Sequence, residues 1–411
     1  MSASLNVATA KHYLYGTHRT CAPEETLARL QPLLPLMGIT RIANVTGLDR
    51  TGIPVVMVCR PNARSMTVSQ GKGLTLAAAK ASGVMEAVEI WHAEHILRPL
   101  KLASTDEMRS EHRVADLAAL PQARDSRYTP ALPLLWIEGE DLLDGGPLWV
   151  PFELVSANYT LPLPPGSGCF QANTNGLASG NHRLEAISHG LCEVVERDAR
   201  TLWMHEPDEA QAGRVINPES IDDDACRGII ARYRQAGLDV RIWDTTTDVG
   251  IACFVCLLLG RDGDDADPEF GAGCHPVRQI ALLRALTEAG QARNTYIAGA
   301  RDDYLPQWYS PSARARRQAR FRGLLAAPAA PRAFAQAPSF ESPSIEDDLQ
   351  WMLARLRGAG IGQAIAVNLT QDAIGIPVVR MIVPGLEGAM GHEGGDYAPG
   401  SRARRCLQGA A

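Results

Sequence analysis

The sequence predicts an α+β domain built from internal pseudo-repeats, with hairpins and sheets packed against helices around a shared cleft. Two recurring elements predict it. The first is a strand, polar turn and strand: NVTGLDRTGIPVV (44–56), DTTTDVGIACFV (244–255) and NLTQDAIGIPVV (368–379). β-Branched runs around a Gly-bearing turn suit hairpins. The second is a Glu-bearing helix: GVMEAVE (83–89), GLCEVVE (190–196) and the looser ALTEAGQ (285–291). Each follows a glycine-bearing segment read as a loop: GKG (71–73), ASGN (178–181) and GAG (271–273). Repeats this short are not a solenoid. They point to layers of sheet and helix around one cleft.

In chain order, residues 1–40 read as an N-terminal extension, 41–405 as the domain and 406–411 as a tail. LWIEGEDLLDGGPLWVPFELV (135–155) reads as a further hairpin turning at Asp144-Gly145-Gly146. NHRLEAISHGLCEVVERD (181–198) reads as a helix. At ~100° per residue, Asn181, Glu185, Glu193 and Glu196 fall in a sector of about 120°, with Leu184, Ile187, Leu191, Val194 and Val195 opposite. Cys253 and Cys256 form a C-x-x-C in a strand-like run and read as core, not as a metal pair. GRDGDDADPE (260–269) reads as an exposed turn. The Arg/Ala/Pro-rich stretch 306–343 reads as a solvated, mobile insertion without core contacts; its functional alternative is a basic lid. A capped helix follows from Ser344.

The composition sets bounds. A chain of 411 residues can bury one large core or two. A formal net charge of −6 gives no reason to expect nucleic-acid or membrane-surface binding. The longest apolar run, IACFVCLLL (251–259), is too short to span a bilayer, and no signal peptide is legible. Nine cysteines, mostly in apolar segments, suit reduced thiols in a cytoplasm.

The acidic stripe carries the chemistry. Like charges one helical turn apart repel, so the sharp reading places a cation against them. Mg²⁺ fits, being a hard ion that takes carboxylate oxygens and leaves room for phosphate. The bland reading is a solvated face. Three Glu-bearing helices after Gly-bearing segments make a coherent phosphate and magnesium site. Lys72 is a candidate phosphate contact, and Arg197, Arg284 and Arg293 could act as forks. GKG is not a Walker A motif. A di-iron site would want Glu-x-x-His twice; Glu89-x-x-His92 supplies one, but Ala199 stands where Glu196 would need the second. His92 and His95 therefore read as core or surface residues. No catalytic nucleophile can be assigned.

These residues resemble the YcaO family. GKGLT…ASGVMEAVE, NGLASGNHRLEAISHGLCEVVERDA and RALTEAGQAR carry the resemblance, which runs from about residue 40 to 400. It implies an ATP-binding cleft in a fold of its own and ATP-dependent O-phosphorylation of a peptide-backbone amide. By resemblance, Glu86, Glu89, Glu185, Glu193, Glu196 and Glu288 would form the Mg–ATP carboxylate set. Asn181, Arg197 and Arg284 would contact nucleotide, with Lys72 and Gln291 as softer assignments. One departure is Ala178 at a family serine position, with Ser179 next to it; whether Ser179 takes that serine's place is left open by the sequence. The end of the chain lacks a Pro-rich tail. VVRMIVPGLEG, His392 and YAPGSRAR look like members that work with a TfuA-like partner protein to form thioamides. The expectation is thus thioamidation of a peptide or protein substrate, with a homodimer allowed. The alternatives are an azoline-forming cyclodehydratase and, from another class, a nucleotide-binding accessory or regulatory protein without peptide chemistry.

Overall fold

The computed structural model describes residues 9–261, 267–326, 330–388 and 398–409. His392 lies outside them. After α1 (Pro23–Leu30), strands β1 (Arg41–Asn44), β2 (Val55–Cys59) and β3 (Val68–Lys72) form an antiparallel sheet that feeds α2 (Leu76–Glu94). Next come β4 (Leu100–Ala103), α3 (Thr105–Glu111), β5 (Leu134–Asp141) and β6 (Pro147–Pro151), then β7 (Leu177–Ser179), which enters α4 (Arg183–His205). Helices α5 (Asp208–Ala212) and α6 (Asp224–Gln235) lead to β8 (Leu238–Asp244), β9 (Cys253–Gly260) and β10 (Glu269–Cys274), which enters α7 (Arg278–Ala298). The chain closes with α8 (Pro311–Ala326), α9 (Ile345–Gly358), β11 (Ile365–Asn368), β12 (Val378–Ile382) and α10 (Ser401–Gly409).

The strand repeats are hairpins with one shared chemistry. In β1–β2, β8–β9 and β11–β12 the side chain of Asn44, Asp244 or Asn368 accepts from the backbone N–H two residues on, at 3.1, 3.0 and 3.0 Å. That Asx turn fixes the corner. The residue so held is Thr46, Thr246 or Thr370. Its hydroxyl then accepts from the first residue of the returning strand, Val55, Cys253 or Val378, at 3.1 Å in each case. The hairpin expected at 135–155 is β5–β6, with Gly145 and Gly146 at φ +76° and +81° where other residues are disfavoured. Cys253 and Cys256 are buried on β9, as read from the sequence.

Each returning strand pairs with the strand that enters an acidic helix. Val55 faces Lys72, Cys253 faces Cys274 and Val378 faces Ser179. From these three positions Glu86, Glu193 and Glu288 are each fourteen residues further on. Two units are continuous in sequence. The third is split: β7 and α4 come from mid-chain, while their hairpin β11–β12 comes from near the end.

The glycines before the helices correct the loop reading. Gly71 lies in β3, and Gly271 and Gly273 lie in β10. A Cβ on Gly71 would sit 2.0 Å from Ala79 O and 2.1 Å from Gly83 N of α2. One on Gly271 would sit 2.1 Å from Ala285 O of α7. These glycines let helix and strand backbones touch; they are not loop cradles for phosphate.

Two further expectations change. The stretch 306–343 does carry core contacts. Phe334 is fully buried and Phe321 nearly so, the latter edge-on to Phe270 at 4.6 Å. Arg314 and Arg317 pair with Asp267 at 3.0 and 2.8 Å. Asp267 and Glu269 are themselves buried, so the described end of 260–269 is not an exposed turn. Composition misled here because three or four anchors suffice to seat a segment that is otherwise polar. Near the N-terminus, Leu30, Leu34 and Met37 enter the main core, and Lys11 pairs with Asp348 at 2.6 Å.

Candidate functional site

Helices α2, α4 and α7 bring their glutamates to one cleft. Three of the carboxylates are held by neighbouring strands. The Gln70 N–H donates to Glu86 Oε2 at 3.0 Å, and the Ala272 N–H donates to Glu288 Oε1 at 3.2 Å. Ser179 donates from N and Oγ to Glu89 Oε1, at 2.8 and 2.7 Å. Lys72 Nζ lies 2.6 Å from Glu288 Oε2, bridging the first and second continuous units. Glu193 is one turn from Arg197, at 3.7 Å. Gln291 donates weakly to Gln70 Oε1 at 3.4 Å, and Thr295 also donates to that oxygen.

The proton affinities show how crowded this negative charge is. Burial pushes Glu86 and Glu193 above the ordinary carboxylate range. It takes Glu89 up to about 8, with Glu86 and Glu193 adding repulsion against the Ser179 hydrogen bonds. Burial and the charge of Glu288 push Glu196 up too. Glu288 goes the other way: burial opposes ionisation, but Lys72 and Arg197 hold it down. So the site keeps one carboxylate firmly ionised and leaves four with a deficit of positive charge.

Glu185 and Asn181 are placed differently. Glu185, only 3% exposed, accepts from Thr20 Oγ1 at 2.9 Å and pairs with Arg19 at 3.3 Å. Asn181 Oδ1 accepts from Thr26 Oγ1 at 3.0 Å and from Arg29 at 3.4 Å. The chain before residue 41 is therefore tied to the motif helix. Arg293 does not join the cleft. It is buried in a two-pronged pair with Asp49, at 3.0 and 3.1 Å, which corrects its reading as a phosphate fork.

Four groups were missed by sequence reading. His189 accepts from Arg284 Nη2 at 2.9 Å, and burial and that cation hold it well below the usual imidazole range. Arg200 also faces the cleft charges, with burial and Arg197 weakening its hold on its proton. Helical spacing could have found both, since His189 follows Glu185 by four residues and Arg200 follows Glu196 by four. Arg301, which lowers the proton affinity of Glu86, and Arg380, which does so for Glu193, come from distant segments and carry no local signal.

The donor set fits magnesium nucleotide. Hard carboxylate oxygens suit Mg²⁺, and guanidinium forks suit phosphate. The Nε of Arg197 is buried and has no hydrogen-bond partner. Among the described residues one His/Cys/Asp/Glu group has its ligand atoms within 4.8 Å of one another: His18, His275 and Asp348. It lies outside the glutamate cluster, and two of its three members are engaged. Lys11 holds Asp348, and the Val277 N–H donates to His275 Nδ1 at 3.0 Å.

A pH dependence follows. Glu89 and Glu196 bind protons more tightly folded than unfolded. The stability they confer is full below the unfolded carboxylate value and is lost as pH rises through the folded value, about 8 for Glu89. His18, His92, His189 and His275, held below the usual imidazole range by burial, act in the opposite sense up to about pH 6.5, so the apo protein should lose thermal stability between about pH 6.5 and 8. Magnesium with a non-hydrolysable ATP analogue should flatten that slope, as read by thermal midpoints across this range. A midpoint that rises across this range in the apo protein would contradict the crowded-carboxylate account.

Comparison with known proteins gives consistent results. Residues 70–387 match the family model described as YcaO cyclodehydratase, ATP- and Mg²⁺-binding. A Rhizobium leguminosarum bv. trifolii protein from the tfuA 3′ region is 36% identical over 376 residues, covering 90% of this chain and 88% of its own. A Methanothermobacter thermautotrophicus protein is 36% identical over 385 residues, covering 89% and 94%. Among solved structures, YcaO from Methanopyrus kandleri bound with AMPPCP and Mg²⁺ superposes with a TM-score of 0.73 at 24% identity, covering 92% of this chain and 95% of that one. A heterocyclase in complex with substrate and cofactor superposes with a TM-score of 0.78 at 23% identity, covering 93% and 54%.

Proposed function

The chain belongs to the YcaO family of ATP- and Mg²⁺-binding proteins, and from that premise we propose that it activates a peptide-backbone amide for thioamidation. The observation that carries the reading is the cleft itself: five glutamates, four of them short of positive charge, facing Lys72, Arg197, Arg284 and Arg380.

In this reading Glu86, Glu89, Glu193, Glu196 and Glu288 hold magnesium. Glu185 would join them by releasing Thr20 and Arg19. Lys72, Arg197 and Arg284 hold phosphate oxygens, while Asn181, Ser179 and Gln291 support the nucleotide and the helices that bind it. Mg–ATP, when bound, supplies an electrophilic phosphoryl group with part of its charge neutralised. The residues' task is positioning and charge stabilisation.

The chemistry needs this because an amide carbonyl is stabilised by resonance and its oxygen does not leave unaided. The amide oxygen forms a bond to the γ-phosphorus as the bond to ADP breaks. Hydrosulfide adds to the carbonyl carbon, and the carbon–oxygen bond then breaks. Amide, ATP⁴⁻ and HS⁻ thus give thioamide, ADP³⁻ and HPO₄²⁻, with atoms and charge balanced.

External sulfur is supported by the likeness to the relative from the tfuA 3′ region. A TfuA-like partner would then deliver it. The second reading, an azoline former, draws its nucleophile from a Cys, Ser or Thr of the substrate and is supported by the cyclodehydratase description of the family model. Mass spectrometry of candidate precursor peptides incubated with ATP, magnesium and sulfide separates the two. Replacing the oxygen of the amide by sulfur adds about 16 Da, which is the expected result. Loss of about 18 Da without a sulfide requirement, a water lost from that same amide system, would replace thioamidation by azoline formation.

A further inference from the structure

Arg380 is the buried cation of the cleft that the family-level reading leaves without a task. It lies on β12 and is 3% exposed. It stands opposite Leu177 on β7, two residues along from the Ser179–Val378 pair. Ser179 is the residue that anchors Glu89, so Arg380 lies beside the carboxylate cluster rather than behind it. Glu193 is the carboxylate that acts on its charge, while burial keeps the Tyr159 phenol protonated.

Its hydrogen bonding is incomplete. Nη2 donates to Asn173 Oδ1 at 3.1 Å, while Nε and Nη1 are buried without a partner. A guanidinium has five N–H donors, so three of them are unused on these two atoms. Burial pushes its proton affinity down to about 10, against the pull of Glu193. A buried cation left this way is costly. The cost is removed when an oxyanion arrives, and guanidinium forks match the paired oxygens of phosphate. Lys72 and Arg284 are occupied in the same structure, by Glu288 and His189.

We propose that Arg380 binds the oxygen that passes from the peptide amide to phosphate, holding the transferred phosphoryl group on the acceptor side of the cleft. Its role is donation from Nε and Nη1; no proton or electron passes through it. The assignment rests on the amide-activation reading above and adds to it the residue that meets the substrate oxygen.

The probe is inorganic phosphate, which contains the transferred oxygen once it has left carbon. Wild type, Arg380→Gln and Arg380→Lys, each loaded with magnesium and ADP, are titrated with phosphate by calorimetry. Mg–AMPPCP titrations and thermal midpoints run alongside. Arg380→Gln should bind phosphate about tenfold or more weakly, with Mg–AMPPCP affinity within about threefold of wild type and an unchanged or raised midpoint. Arg380→Lys should fall between, keeping the charge and losing the fork. Equal phosphate binding in wild type and Arg380→Gln would overturn the assignment, as would a loss confined to Mg–AMPPCP or a fall in midpoint that tracks the loss of binding. A wild type that fails to bind Mg–AMPPCP would instead overturn the amide-activation reading on which this rests.

Discussion

Replacing Glu193 by Gln should weaken magnesium–nucleotide binding on the order of 100-fold while leaving the fold as stable or more so. Glu193 lies on α4 fourteen residues after Ser179, in the same place that Glu86 holds on α2 and Glu288 on α7. Burial raises its proton affinity even with Arg197, Arg380 and Arg284 nearby. A carboxylate in that condition contributes little to the apo fold. Gln keeps its shape and one acceptor oxygen. The change deletes the charge that magnesium needs, and charge is what a hard cation selects. The pair with Arg197 is long, at 3.7 Å, and its loss should cost little. Calorimetry with Mg–AMPPCP reads the affinity and a thermal scan reads the fold. Unchanged affinity, or a lost fold, would remove Glu193 from the binding set.

The second large effect is structural. Gly271→Ala should destabilise the protein by about 3 kcal/mol or more. The new Cβ would lie 2.1 Å from Ala285 O and 2.2 Å from Ala289 N, both backbone atoms of α7. Neither can move without shifting the helix. Glu288 sits between those two residues and takes the Ala272 N–H, so the displacement also opens the site. Gly228→Ala on α6 is the control, since nothing lies within 4 Å of its Cβ position. It should gain roughly 0.5–1 kcal/mol from helix propensity. Denaturant unfolding of the two variants gives both numbers. A Gly271→Ala protein as stable as wild type would show that β10 and α7 are not in backbone contact.

The repeats were legible because each is encoded locally. An Asx residue followed two positions later by Thr is enough to set a hairpin corner, and Glu at a fixed helical offset is enough to mark the cleft. What the sequence hid was non-local. Nothing near residue 380 signals that β12 will pair with β7, two hundred residues earlier, and so bring Arg380 to Glu193. Nothing near residue 20 signals that Thr20 and Arg19 will meet Glu185. GKG and GAG resemble turn sequences, yet their glycines serve strand–helix contact, because small residues have two uses and composition does not separate them. Arg293 looked like a free fork until Asp49 was brought against it. The Arg/Ala/Pro stretch looked detached because its anchors, Phe321 and Phe334, are few and widely spaced.

The central claim is that the oxygen leaving on phosphate comes from a peptide amide and not from water. Running the reaction in ¹⁸O-water with ATP, magnesium, sulfide and a candidate precursor peptide tests it directly. The phosphate released is read by ³¹P NMR or mass spectrometry, with modified peptide quantified in parallel. Amide activation predicts phosphate free of solvent label, formed one for one with modified peptide. Phosphate carrying one ¹⁸O, formed whether or not the peptide changes, would mean that the cleft merely hydrolyses ATP and would contradict the account.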